Sequence, residues 1–200
     1  MEHVSALKLN LKYDAVQLKH ELHSVLGWGW QAHGNKSIYT GRWSGLALRN
    51  TTGEVNNIDA PLIYGNYFVN TPLLAHCPYF QTLLDGLHCP IGSARLLRLN
   101  AGAIIDEHVD GGLCYEFGEA RLHIPVATNP QLEFVLNKNR IVMAVGECWY
   151  INANMPHAVA NRGTTDRVHL VIDVGVNQWV QSRFESALGR EAPVIIQRHF

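Results

Sequence analysis

Charge of either sign is scarce in this sequence. Only 16% of its 200 residues are Asp, Glu, Lys or Arg, and 16 basic against 17 acidic side chains leave a formal net charge of −1. So balanced a surface has no long-range field to gather phosphate backbones or anionic lipid, so neither nucleic acid nor a membrane surface is an expected partner. No window approaches the roughly eighteen apolar residues that span a bilayer. The opening MEHVSALKLNLKYD lacks an apolar core behind a basic head, so export is not expected. Cys77, Cys89, Cys114 and Cys148 form no C-x-x-C pair, which argues against a zinc knuckle or a thioredoxin-type redox motif. They are expected as reduced, mostly buried thiols of a cytoplasmic protein. Repeats, low-complexity tracts and Gly/Ser linkers are also missing.

What is present is apolar content, 47% of the chain, enough for one compact domain over residues 1–200. Asp14 can cap a helix over about 15–26, where Val16, Leu18, Leu22, Val25 and Leu26 recur near helical spacing. Residues 37–49 read as a strand pair, 50–71 as a long loop, and 78–87 as a short helix opened by Pro78. From residue 94 the texture becomes short aliphatic and β-branched runs at 94–99, 103–108, 120–126, 132–136, 141–145, 148–152, 156–160 and 167–174, with a hairpin turn at 137–140. Such closely spaced strands predict a mainly β jelly roll with a core over about 94–175, preceded by helical and loop elements over 1–93. A last helix is expected over about 176–189, where Val176, Trp179, Val180, Phe184 and Leu188 share one face.

Eleven histidines are an unusual supply of imidazoles. The sharpest local pattern is Glu107-His108-Val109-Asp110, because i and i+2 of a strand share a face and His108 and Asp110 can converge on one point. Alone, H-x-D also fits an ordinary surface pair. His157, behind the turn-plus-strand run Gly146–Asn152 and Pro156, is the later imidazole best placed to join them, although a half-buried hairpin histidine fits it too. Two histidines and a carboxylate suit non-haem Fe(II). Arg167, opening RVHLVIDV, can hold a carboxylate bidentately, and Arg121 and His123 form another i, i+2 pair. Each fits a surface ion pair singly, but five or six inward polar groups on apolar strands are costly to bury without a purpose.

These residues resemble the Fe(II)/2-oxoglutarate-dependent aspartyl/asparaginyl β-hydroxylase superfamily, especially its short bacterial branch of free-proline cis-hydroxylases. The likeness rests on Arg95–Leu99 with Gly102 before His108-Val109-Asp110, on Arg121–Pro125, Thr128-Asn129-Pro130, Gly146–Tyr150 and Pro156-His157, and on Asn161–Asp173. Trp43-Ser44-Gly45, Thr71–Leu74 and Pro78-Tyr79-Phe80 extend it over most of the chain. The resemblance implies a double-stranded β-helix with iron on His108, Asp110 and His157. It further implies 2-oxoglutarate held by Arg167 at its distal carboxylate, and Arg121 and His123 as further co-substrate contacts. The implied reaction uses Fe(II), 2-oxoglutarate and O2 to hydroxylate an unactivated C–H bond, with succinate and CO2 as co-products. Peptidyl members lack the carboxylate at the position of Asp110, which points to a free amino acid or a derivative as substrate. The sequence ends at Phe200, which leaves little room for the C-terminal region of some proline hydroxylases and makes proline one candidate. Arg98 and Arg121 are the expected partners of the substrate carboxylate, and Trp149 an expected wall.

Two other classes stay open at this stage. The segment from Gly146 to Asn161 loosely echoes a cupin motif, the mark of an isomerase or a 2-oxoglutarate-independent dioxygenase, and the same fold also serves as a non-catalytic ligand-binding module.

Overall fold

The structure, a computed structural model, describes residues 4–189. The outermost residues of the expected 1–200 domain, 1–3 and 190–200, lie outside the described residues. The chain runs β1 (Ala6–Lys12), α1 (Ala15–Val25), β2 (Gln31–Ala32), β3 (Tyr39–Thr40), β4 (Trp43–Asn50), β5 (Val69–Asn70), α2 (Pro72–Ala75) and α3 (Pro78–Asp85). It continues through β6 (Ile91–Leu99), β7 (Ile104–His108), β8 (Glu119–Ala127), β9 (Leu132–Leu136), β10 (Asn139–Arg140), β11 (Glu147–Ile151), β12 (His157–Asn161) and β13 (Arg167–Gly175) to α4 (Gln178–Ala187).

From β6 onward the chain passes back and forth between two antiparallel sheets, with the β9–β10 hairpin kept within the smaller one, as in a double-stranded β-helix. The larger sheet has the order β1-β11-β8-β13-β6-β4-β2, with β5 beside β4, and the smaller has the order β10-β9-β12-β7-β3. Period-two alternation gives the larger sheet two unlike faces. Leu46, Leu96, Leu122, Leu170 and Ile172 point outward into a core closed by Leu18, Leu22, Phe80 and Leu84 of α1 and α3. Each such buried aliphatic side chain contributes about 1.5–3 kcal/mol over its exposed state. The opposite face carries Leu97, Leu99 and Val171 toward Ile105, Phe134, Leu136 and Val159 of the smaller sheet. That second core is the smaller, and the polar side chains of the larger sheet enter the molecule on its side.

Local chemistry explains the boundaries. Asp14 accepts from the Val16 and Gln17 amides and starts α1. The N-terminus of α3 has no cap of its own, and the buried Glu21 of α1 accepts from the Phe80 amide at 3.0 Å instead. Asn137 and Lys138, with φ of 46° and 66°, make the left-handed two-residue turn that joins β9 to β10.

Several details differ from the sequence reading, among them the two-residue strands β2 and β5 beside β4. The return strand of that hairpin is Asn139–Arg140, and residues 141–145 are not a strand. They carry the chain from the smaller sheet across to β11 in the larger one, so Ile141 keeps one bond to Phe134 (2.8 Å) while Val142 is exposed. Residues 6–12 form an unforeseen strand, β1, paired with β11. A short helix, α2, closes the long loop. The cysteines are free, three of them buried, and burial pushes the Cys77 and Cys148 thiols up to about 12.

The crossover depends on Gly146. Its φ is 81°, its carbonyl accepts from the Tyr13 amide at 2.8 Å, and a Cβ there would lie 2.3 Å from the Tyr13 oxygen. Gly146→Ala is therefore expected to lower the unfolding free energy by at least about 1–3 kcal/mol from backbone strain alone, read as a fall in the urea midpoint. An unchanged midpoint would show that the β1 junction relaxes freely.

Candidate metal and co-substrate site

The polar face of the larger sheet opens on a cavity of about 530 Å3 between the two sheets. His108 ends β7 and His157 begins β12, and the two are direct cross-strand partners with ring centroids 4.1 Å apart. Asp110 reaches them by a different route from the one that strand parity suggests. It lies beyond the end of β7, in a turn held by its amide on the Ala153 oxygen (2.9 Å) and by the Gly112 amide on Asn154 Oδ1 (3.1 Å). One ligand atom from each of His108, Asp110 and His157 falls within 4.8 Å of the others.

Hydrogen bonds orient this set. His108 Nδ1 lies 2.9 Å from the Asp106 carbonyl and His157 Nδ1 2.9 Å from the Met155 carbonyl. Both Nδ1 atoms therefore donate, which leaves each Nε2 lone pair for an ion. Burial, reinforced by His108, pushes His157 down to about 4, so its imidazole is neutral at pH 7. Burial opposes ionisation of Asp110, but the charge and hydrogen bond of the Arg121 guanidinium outweigh it and hold the carboxyl below the usual carboxylate range. Two imidazoles, each with Nε2 turned from its backbone partner, and an ionised carboxylate make a donor set that fits Fe(II).

Arg121 is the brace behind this set. Its Nη1 pairs with Asp110, while Nε and Nη2 grip Asp173 at 2.7 and 3.0 Å. The fully buried Asp173 also accepts from Ser93 (2.7 Å) and faces Arg95 at 3.4 Å. Arg121 lines the cavity, but its planar fork is already occupied by two carboxylates.

Arg167 is in the opposite situation. Only 2% exposed, it lines the same cavity, donates from Nη2 to His169 Nδ1 at 2.8 Å, and leaves Nε buried without a partner. No carboxylate among the described residues pairs with it. Burial pushes its guanidinium down to about 9. His123 lines the cavity with Nδ1 3.3 Å from His169 Nδ1, and burial followed by the charge of Arg167 holds both rings well below their ordinary value. A buried cation with no counter-ion, beside neutral imidazoles, has the charge and geometry to pair with an external carboxylate.

Two of the expected substrate residues lie elsewhere. Arg98 has the opposite strand parity to Arg95 and stacks over Trp30 at 4.2 Å in a separate surface cavity with Lys36 and Arg42. Trp149 packs against the inter-sheet core with Nε1 donating to Glu147 (2.9 Å) and does not line the site. In their place stand Arg95, Trp43 and a stretch of the long loop, Ile58–Leu62. Strand parity alone selects Arg95, which shares a face with Leu97, and the small Ala47 opposite it on β4 leaves room for the guanidinium. Trp43 is stacked on His33 with centroids 3.6 Å apart, and its ring is tilted by 52° to that of His108 at 6.4 Å.

Comparisons with known proteins agree with this architecture. The L-proline cis-4-hydroxylase of Rhizobium meliloti (strain 1021) is 28% identical over 176 residues, 86% of this chain, and the chain spans about 61% of that relative's length. A 2OG-Fe(II) oxygenase family oxidoreductase from Burkholderia pseudomallei superposes with a TM-score of 0.59 at 16% identity, covering 86% of this chain and 85% of that one. A Pseudomonas putida prolyl-4-hydroxylase superposes with a TM-score of 0.51 at 11% identity, covering 88% and 94%. At these identities the superpositions speak for the fold. The sequence profile of one family matches residues 12–176, and on that match the chain belongs to the aspartyl/asparaginyl β-hydroxylase family.

Proposed function

We propose that the protein is a cytoplasmic, single-domain oxygenase that hydroxylates an unactivated C–H bond of a small amino-acid-like substrate, with Fe(II), 2-oxoglutarate and O2. The uncompensated Arg167 guanidinium in the cavity that also holds the two-histidine, one-carboxylate set carries this reading. A metal site alone does not need such a cation, whereas a dicarboxylate co-substrate does. Family membership and the proline-hydroxylating relative support the substrate class. Among the described residues no helix is long and apolar enough to cross a membrane.

In this reading His108, Asp110 and His157 hold Fe(II), and Arg167 receives the distal carboxylate of 2-oxoglutarate. When bound, the metal with the keto acid and O2 supplies the oxidising power, with loss of CO2, formation of succinate and insertion of one oxygen atom into the substrate. The chain's own groups do the positioning. Arg121 holds the outer oxygen of Asp110, so the carboxylate cannot swing away from the histidines. His169 accepts from Arg167 and sets the plane of its fork, and His123 completes that polar wall. Arg95, buried with its Nε unpartnered, is the remaining cation for a substrate carboxylate. Phe134, Val159 and Leu97 exclude water around the reacting carbon.

The test is a panel of free amino acids and short peptides with Fe(II), 2-oxoglutarate and ascorbate. The expected result is succinate release matched to a product heavier by one oxygen, strictly dependent on both additions. Turnover without 2-oxoglutarate would favour the cupin-like reading, and ligand affinity without any turnover the binding module.

A further inference from the structure

We propose that Asp59 is the residue that recognises the amino nitrogen of the substrate, making the site selective for zwitterionic amino acids over the corresponding nitrogen-free acids. The inference rests on the oxygenase reading above and identifies what that site selects.

Asp59 lies in the loop between β4 and β5 and lines the cavity. Its carboxylate accepts no hydrogen bond from any described residue, although it lies within electrostatic range of Arg95 and His33. The loop is fixed on both sides of it. Asn50 Nδ2 donates to the Glu54 and Asn57 carbonyls at 2.7 Å each, and Asn57 Oδ1 accepts from the Asp59 amide at 3.1 Å. The Ile58 carbonyl accepts from Arg95 Nη1 at 3.1 Å, Ile58 is buried, and the Ile63 amide is bound by Glu119 at 2.7 Å. A rigid loop thus presents one unpaired carboxylate to the cavity. Asp110 and Asp173, in contrast, are both engaged by Arg121.

Charge balance gives the ligand class. Arg95, Arg121 and Arg167 are matched in number by Asp59, Asp110 and Asp173, and a divalent metal is matched by the dianion of 2-oxoglutarate. The loaded cavity is then neutral and accepts a net-neutral substrate. Its local charges remain separated, with the unpartnered Nε of Arg95 on the sheet and Asp59 on the loop, both lining one cavity. A molecule with one carboxylate and one ammonium group satisfies both, whereas a simple carboxylic acid leaves Asp59 without a partner.

Calorimetry on the full-length protein loaded with Ni(II) and 2-oxoglutarate, which binds without turning over, tests the proposal. The probes are the proteinogenic free amino acids and, for each that binds, its analogue with carbon or hydrogen in place of the amino nitrogen; for proline this is cyclopentanecarboxylate. The wild type is expected to prefer the amino acid by on the order of tenfold or more. Asp59→Asn, nearly isosteric and on an exposed position, should abolish the preference by weakening the amino acid alone. Affinity for 2-oxoglutarate and the melting temperature should stay unchanged, and Asp59→Glu should restore part of the preference. Equal preference in wild type and Asp59→Asn would overturn the role of Asp59 while leaving the oxygenase reading intact. If 2-oxoglutarate binds but no amino acid does, the substrate class falls, and the proposal with it. Loss of 2-oxoglutarate binding in the wild type would instead remove the reading on which the proposal rests.

Discussion

His157→Ala is expected to abolish hydroxylation and to weaken Fe(II) binding by well over the roughly 10–100-fold that losing a mere supporting partner of a metal ligand costs. The size follows from the donor set: among the described residues no other histidine, cysteine or carboxylate group completes a three-donor cluster there. The fold should survive. β12 is held by main-chain pairing to both β7 and β9, and among the described residues the His157 side chain hydrogen-bonds only to the Met155 carbonyl two residues away. Circular dichroism and urea midpoints near those of the wild type, with iron binding lost, are the expected pattern. Retained iron affinity would show that the ion is held elsewhere.

Changes at Arg167 separate charge from geometry. Arg167→Lys keeps the cation but loses the planar fork, so the KM for 2-oxoglutarate should rise on the order of 10–100-fold, the equivalent of one charge-assisted hydrogen bond at about 1.5–3 kcal/mol. The KM of the proposed amino-acid substrate should move far less. Arg167→Met should act in the opposite direction on stability. Burial places the folded-state pKa near 9, below the ordinary arginine value, so the charged form is disfavoured by folding. That penalty is fully present below about pH 9 and is relieved only as pH rises from there toward the unfolded value. At pH 7 the unliganded Met variant should therefore be more stable than the wild type, by about 1–4 kcal/mol. It should also lack the rise in melting temperature that 2-oxoglutarate is expected to give the wild type. A Met variant that is destabilised and still responds to 2-oxoglutarate would mark Arg167 as structural.

Strand parity, the most reliable feature of the sequence, makes much of this site readable and also explains what escaped. Arg121 and His123 share a face because they are two apart on β8, and Arg167, His169 and Asp173 share one on β13 by the same rule. The rule separates Arg95 from Arg98, and it is Arg95 that enters the cavity. Asp110 sits near His108 because a turn anchored on Ala153 and Asn154 brings it there, a contact between distant segments that H-x-D spacing does not reveal. The ion pairs of Arg121 with Asp110 and Asp173 were equally hidden, since pairing needs the β8–β13 register. Trp149 faces the inter-sheet space, yet Glu147 draws its indole away from the cavity. Asp59 lies in a loop of Asn, Gly and Thr where no periodicity applies, and its position depends on Asn50, Arg95 and Glu119 from three separate strands. The β1 strand alternates apolar and polar residues in the plain period-two pattern of ALKLNLK, a strand signal already present in the sequence.

The most direct test of the site is an anaerobic crystal structure with Fe(II) and 2-oxoglutarate, read by iron anomalous scattering. One anomalous peak is expected within bonding distance of His108 Nε2, His157 Nε2 and an Asp110 carboxylate oxygen, with the distal carboxylate of 2-oxoglutarate on the Arg167 fork. An iron peak away from these three atoms, or the distal carboxylate seated on another arginine with Arg167 still unpartnered, would contradict this assignment.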